Sequence, residues 1–186
     1  MKYSLPALIP LFLLLALGGC VSLGPVRDTA EQATLVLKAA PDPSAYPAPV
    51  FNVALPSYLN QSTVWSATAD GRLREVAGWI WAESLSSALR RELALALGRA
   101  DPYPDDARIN LAFSRFILLE DGSAVAVAEG SHTSGNKTHT LPVIRVRLGS
   151  AWDPSTPASF LDGYRALLES TAARLSTALD PIVKTP

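Results

Sequence analysis

Ala107–Leu148 reads ARINLAFSRFILLEDGSAVAVAEGSHTSGNKTHTLPVIRVRL, and the fold is decided here. Ile109, Leu111 and Phe113 alternate with Asn110, Ala112 and Ser114, the period of a half-buried strand. The pattern predicts a strand over 107–119 whose inward series continues to Arg115. Asp121-Gly122 is turn chemistry and leads into a second strand over 124–131, with Val125 and Val127 on one face. Thr133–Lys137 turns the chain again. Val143, Ile144, Val146 and Leu148, set against Arg145 and Arg147, mark a third strand over 141–148. Strands joined by such short turns form an antiparallel meander.

On either side of the meander lies a helical pattern. Upstream, Leu85, Leu89 and Leu93 recur every fourth residue, and the periodicity predicts a helix from Trp81 to Leu97, stopped by Gly98. Its Arg90, Arg91 and Glu92 read as a solvated face. Downstream, Phe160, Tyr164, Leu167, Leu168, Thr171, Leu175 and Leu179 form one stripe of a helix over 159–179. Asp180-Pro181 is expected to end it, because the residue before proline disfavours the helical region.

Further upstream, Thr34–Ala39 and Val50–Leu55 read as strands on either side of a loop holding Pro41, Pro43, Pro47 and Pro49. Val64–Ser66 is a short extended piece, and Asp70-Gly71 before Arg72–Val76 suggests a hairpin. Each helix stripe needs a sheet face to cover it. The expected fold is therefore α+β, a two-layer sandwich of a mostly antiparallel sheet with two main helices on one face.

Met1–Cys20, MKYSLPALIPLFLLLALGGC, has the three parts of a secretory signal: Lys2, an apolar run over Leu5–Leu17, and small residues before Cys20. The run is short for a membrane span. Leu17-Gly18-Gly19-Cys20 resembles the lipobox of bacterial lipoproteins. That resemblance implies cleavage before Cys20, a diacylglyceryl thioether on its sulfur and an acylated amino terminus. Val21 is not the aspartate that marks inner-membrane retention in enterobacterial lipoproteins, so the expected place is the periplasmic face of the outer membrane. The expected organisation is a lipoprotein signal over 1–19, a lipidated tether over 20–32 and one domain over 33–186. Cys20 is the sole cysteine, so no disulfide is expected. The formal net charge of −1 offers no basic field for nucleic acid.

Leu55-Pro56-Ser57-Tyr58-Leu59-Asn60-Gln61 follows a strand, and about twenty residues later comes Trp81-Ala82-Glu83-Ser84-Leu85 at the head of a helix. This order resembles the auxiliary lipoproteins of MCE-type ABC lipid transporters, the PqiC-like group. Their motifs are L-P-x-Y-L-D-R and a helix opening W-A-E-P-L. Here Asn60 and Gln61 replace the charged pair, and Ser84 stands where proline is frequent. The resemblance implies a non-enzymatic subunit. It would be anchored at the outer membrane and dock onto an MCE-domain partner whose tunnel carries lipid across the periplasm, supporting membrane integrity. Rings of identical subunits are also implied. The alternative, of a different class, is a lipoprotein activator of a peptidoglycan enzyme, which the short tether disfavours.

Candidate partner-binding residues are Leu55, Pro56, Tyr58, Leu59, Trp79 and Trp81. For Tyr58 and Leu59 two readings stand: anchors at a docking surface, or side chains folded over the sheet edge as core. Trp79-Ile80-Trp81 cannot all face one core, which leaves one for a partner or lipid. The other tryptophans, Trp65 and Trp152, read as packing. His132 and His139 lack the further ligands that a metal needs, and Asp105 and Asp106 read as loop solvation. There is no nucleophile elbow and no phosphate-binding loop, so neither catalysis nor a cofactor is expected beyond the lipid on Cys20.

Overall fold

The computed structural model describes residues 30–37 and 42–184. The signal segment, Cys20 and most of the tether lie outside them. Eight strands form one open mixed sheet. They are β1 (Glu31–Ala33), β2 (Val50–Ala54), β3 (Thr63–Ala67), β4 (Leu73–Trp81), β5 (Arg108–Leu119), β6 (Ala124–Ser134), β7 (Lys137–Thr140) and β8 (Ile144–Leu148). Helix α1 spans Leu85–Ala96 and α2 spans Phe160–Val183. Both helices cover the same sheet face, giving the expected two-layer α+β sandwich.

The path across the sheet runs β1-β4-β3-β5-β6-β7. Strands β2 and β3 share one side of β5, both parallel to it. Strands β7 and β8 share the far side of β6, both antiparallel. The meander is as the sequence implies, with β7 as an additional short strand. Its four residues KTHT are all exposed and carry no apolar alternation. At the other end, β1 lies at 31–33 and pairs parallel with Trp79–Trp81 of β4; of the strand expected at 34–39, residues 34–37 are not strand and 38–39 lie outside the described residues.

Register explains where the sequence pattern slips. In β5 a bulge falls between Phe113 and Arg115. The extra residue reverses the parity, so Arg115 points away from the helices, and Phe116 and Leu118 take over the core face at 0% exposure. In β6 the core face is Ala124, Ala126 and Ala128, while Val125 and Val127 lie half-buried on the opposite face. Small side chains there let α2 approach the sheet.

Strand β4 runs on to Trp81, so Trp79–Trp81 are sheet residues and α1 begins only at Leu85. Gly78, at φ +82°, sits inside a wide irregularity: Trp65 faces Glu75, yet Thr63 faces Ile80. That kink turns Trp79 and Trp81 inward. Trp79 meets Phe160 edge-on with ring centres 5.0 Å apart, and Trp81 meets Tyr164 at 5.3 Å. Tyr164 stacks on Phe116 at 5.7 Å, and its hydroxyl donates to the Trp65 carbonyl at 2.8 Å. These rings pin the start of α2 to β4 and β5.

Helix α1 is capped by Ser84, whose hydroxyl accepts from the Ser87 N–H at 3.3 Å. Its supposed solvated face is a clamp instead. Glu92 is 3% exposed and accepts the Leu37 N–H at 3.0 Å. Arg91 donates to Glu92 at 2.7 Å, to both oxygens of Glu83, and to the Leu35 carbonyl at 3.2 Å. The stripe predicted for α2 is buried throughout, but the helix continues through Pro181 to Val183.

Candidate functional site

The sheet face opposite the helices carries a groove of about 460 Å³. Its floor is Ile117, Leu119 and Val125, and Tyr58 and Leu73 line it beside them. Arg115 and Arg147 also line it, together with the carboxylate of Asp121, which feels Arg147. Ladder positions fix this layout. Val125 sits between Ile117 of β5 and Arg147 of β8, and Val127 sits between Arg115 and Arg145.

Tyr58 arrives through the turn after β2. Pro56 ends that strand, Leu59 N–H donates to the Pro56 carbonyl at 2.9 Å, and Asn60 N–H donates to Ser57 at 3.3 Å. The turn sends its two large side chains different ways. Leu59 enters the core at 2% exposure, while Tyr58 remains half-buried in the groove wall. Burial raises the Tyr58 phenol above its ordinary pKa, and the nearby Arg115 charge opposes that shift. The phenol therefore stays a neutral donor and acceptor. Asn60, where the motif has aspartate, accepts the Ser86 hydroxyl at 3.1 Å and ties the turn to the start of α1.

The six residues singled out from sequence thus separate. Leu55 and Pro56 are half-buried beside the groove turn, with Leu55 packed on the core. Leu59 and Trp81, the latter 6% exposed, are core side chains rather than surface anchors. Trp79 is half-buried against Phe160. Tyr58 alone lines the groove. Its cationic neighbours Arg115 and Arg147 were not among the candidates. The alternation Val146-Arg147-Leu148 contained the signal, whereas Arg115 was hidden by the bulge. Of the remaining tryptophans, Trp152 donates to the Leu119 carbonyl at 2.8 Å, and the half-buried Trp65 has an indole N–H with no acceptor among the described residues.

His132 and His139 stand directly opposite each other on β6 and β7. His132 is 4% exposed, and among the described residues neither ring nitrogen has a partner. Its burial first, and the His139 charge second, lower its pKa. Among the described residues no three His, Cys, Asp or Glu side chains are grouped to hold a metal. Asp106 is more than loop solvation: it accepts the Gly135 N–H at 2.6 Å and braces the β6–β7 turn. No helix among the described residues is long and apolar enough to cross a membrane.

The groove can hold an apolar side chain or short chain on its floor, with an anionic group near the two arginines. No family model and no curated protein sequence matches the chain. Six chains of solved structures do, two of them as follows. The chain shares their fold. One is the crystal structure of an uncharacterized protein, with TM-score 0.64 and 20% identity over 83% of this chain and 99% of that one. The other is a Xanthomonas campestris protein assigned to the family model DUF330, with TM-score 0.61 and 13% identity over 82% of this chain and 96% of that one. DUF330 is a family known as PqiC-like.

Proposed function

We propose that this chain is a non-catalytic lipoprotein, anchored through Cys20 at the periplasmic face of the outer membrane. There it serves as the auxiliary subunit of an MCE-type ABC transporter that moves lipid between the two membranes. The observation that carries the reading is the placement of the Leu55–Leu59 motif. In a fold common to a PqiC-like protein, that motif builds the turn that brings Tyr58 to the groove. A lipobox-like sequence ahead of the domain accords with it. Tyr58, Arg115 and the groove floor form the docking surface for the MCE-domain partner, with Leu55 and Pro56 setting the turn. Subunits assemble side by side beneath the membrane, and the lipid on Cys20 holds them there.

The test is co-purification of the full chain with a candidate MCE-domain protein from the same organism, in detergent and in nanodiscs. The wild-type chain should retain the partner. Tyr58→Ala combined with Arg115→Glu should reduce retention at least tenfold without loss of fold. A wild-type chain that fails to retain the partner in both media overturns the reading.

A further inference from the structure

Strand β8 is bonded to a neighbour on one side only, β6. Among the described residues no strand lies along its other side. An edge strand presents unpaired backbone N–H and C=O groups that can bond a further strand. Beside β8, between it and α2, run two adjoining hollows of about 550 and 450 Å³. Arg145 and Arg174 line both, Arg147 lines one, and among the described residues no carboxylate lines either. All three arginines are exposed, and none is in an ion pair among the described residues. Two carboxylates lie in the surroundings. Asp121 feels Arg147 but is engaged by Ser123, and the exposed Glu129 lies two positions beyond the Val127 that pairs with Arg145.

We propose that the β8 edge receives an extended acidic segment of a partner protein, which adds as a strand and sets its carboxylates against Arg145, Arg147 and Arg174. Two separate features support it: among the described residues, a backbone edge with no strand along it, and three exposed guanidinium groups outside any ion pair. A planar guanidinium favours carboxylate in a paired, two-bond geometry. Apolar footing for alternate side chains of the segment comes from Val143, Ala178 and Ile182, which line the larger hollow. A second copy of this chain is a poor occupant. Antiparallel pairing of two β8 strands about Val146 sets Arg145 opposite Arg147 in both directions, and like charges directly opposed destabilise a sheet pair. The arginines that repel a copy select an acidic partner. The edge shares only Arg147 with the groove, and Arg145 and Arg174 lie outside it.

The experiment is binding of a labelled eight-residue peptide alternating glutamate and valine to the full chain in detergent. The comparators are a lysine–valine peptide and the glutamate–valine peptide with alternate amides N-methylated. Saturable binding is expected, with hydrogen-exchange protection appearing at 144–148. Methylation or the lysine peptide should weaken binding at least tenfold. Arg145→Glu and Arg174→Glu should each weaken it severalfold, and Arg174→Glu leaves the strand itself untouched. Arg90→Glu, the same charge change on the exposed side of α1, should have no effect. Equal binding of the methylated peptide, or protection elsewhere, overturns strand addition. No saturable binding at millimolar peptide overturns the proposal outright and leaves the arginines as guards of an edge.

Discussion

His132 sits where an imidazole is hard to charge. It is 4% exposed, its ring nitrogens have no partners among the described residues, and His139 faces it across the strand pair. Its pKa in the folded chain is lowered, so the unfolded chain binds the proton more readily. Stability therefore falls as pH drops below the ordinary histidine value of about 6.5, down to the folded value, by at most about 1.4 kcal/mol per pH unit for one proton. Denaturant midpoints measured between neutral and mildly acid pH should show this slope, and His132→Gln should flatten it. Gly122 makes a second prediction. It turns the β5–β6 hairpin at φ +82°, and an added Cβ would stand 2.9 Å from the Trp152 carbonyl oxygen. The Gly122 carbonyl also accepts the Ala151 N–H at 2.6 Å, so the turn cannot shift freely. Gly122→Ala should cost about 2 kcal/mol by chemical denaturation. This turn was legible in sequence because Asp-Gly is a local signal. The opposite fates of Tyr58 and Leu59 were not, since adjacent residues in a turn have no periodicity to assign them.

At the level of elements, α1 is fastened twice. Ser84→Ala removes the cap and should cost about 1 kcal/mol, seen as a fall of about 2–4 °C in Tm. Glu92→Ala strands the Leu37 N–H and the inner side of Arg91, and should cost about 2–3 kcal/mol. Glu92→Gln, which keeps an acceptor for Leu37, should cost less. Thermal melts of the three variants check this ranking. The leucine period located α1, but it could not locate its start, because Trp79–Trp81 continue an apolar run that suits either state. The serine cap was the deciding local feature. Strand β5 shows the complementary failure: alternation held to Phe113, then one inserted residue reversed the faces. In α2 the apolar stripe outweighed Pro181. The proline falls within the last turn, so the helix forfeits one internal bond there and still ends on a Lys184 N–H to Asp180 carbonyl contact at 3.2 Å.

For the whole molecule, the sandwich and its two helices followed from periodicity, while the parallel pairings did not. Sequence alternation sets which face a residue takes; it does not say that β2 and β3 return to β5 in the same direction. Under the proposed anchoring, Cys20→Ser should move the chain from the envelope pellet to the soluble fraction, a change that fractionation and immunoblotting would detect. The manner in which the body is held has a mechanical side. Tension drawn from the amino-terminal side enters through β1, which has three residues of ladder against β4 and lies at the sheet margin. Such a short seam would peel early under load. Immediately behind it, Arg91 and Glu92 grip the backbone at Leu35 and Leu37. Under the proposed anchoring, that grip would act as a strain relief, keeping a tug on the leash from the aromatic centre.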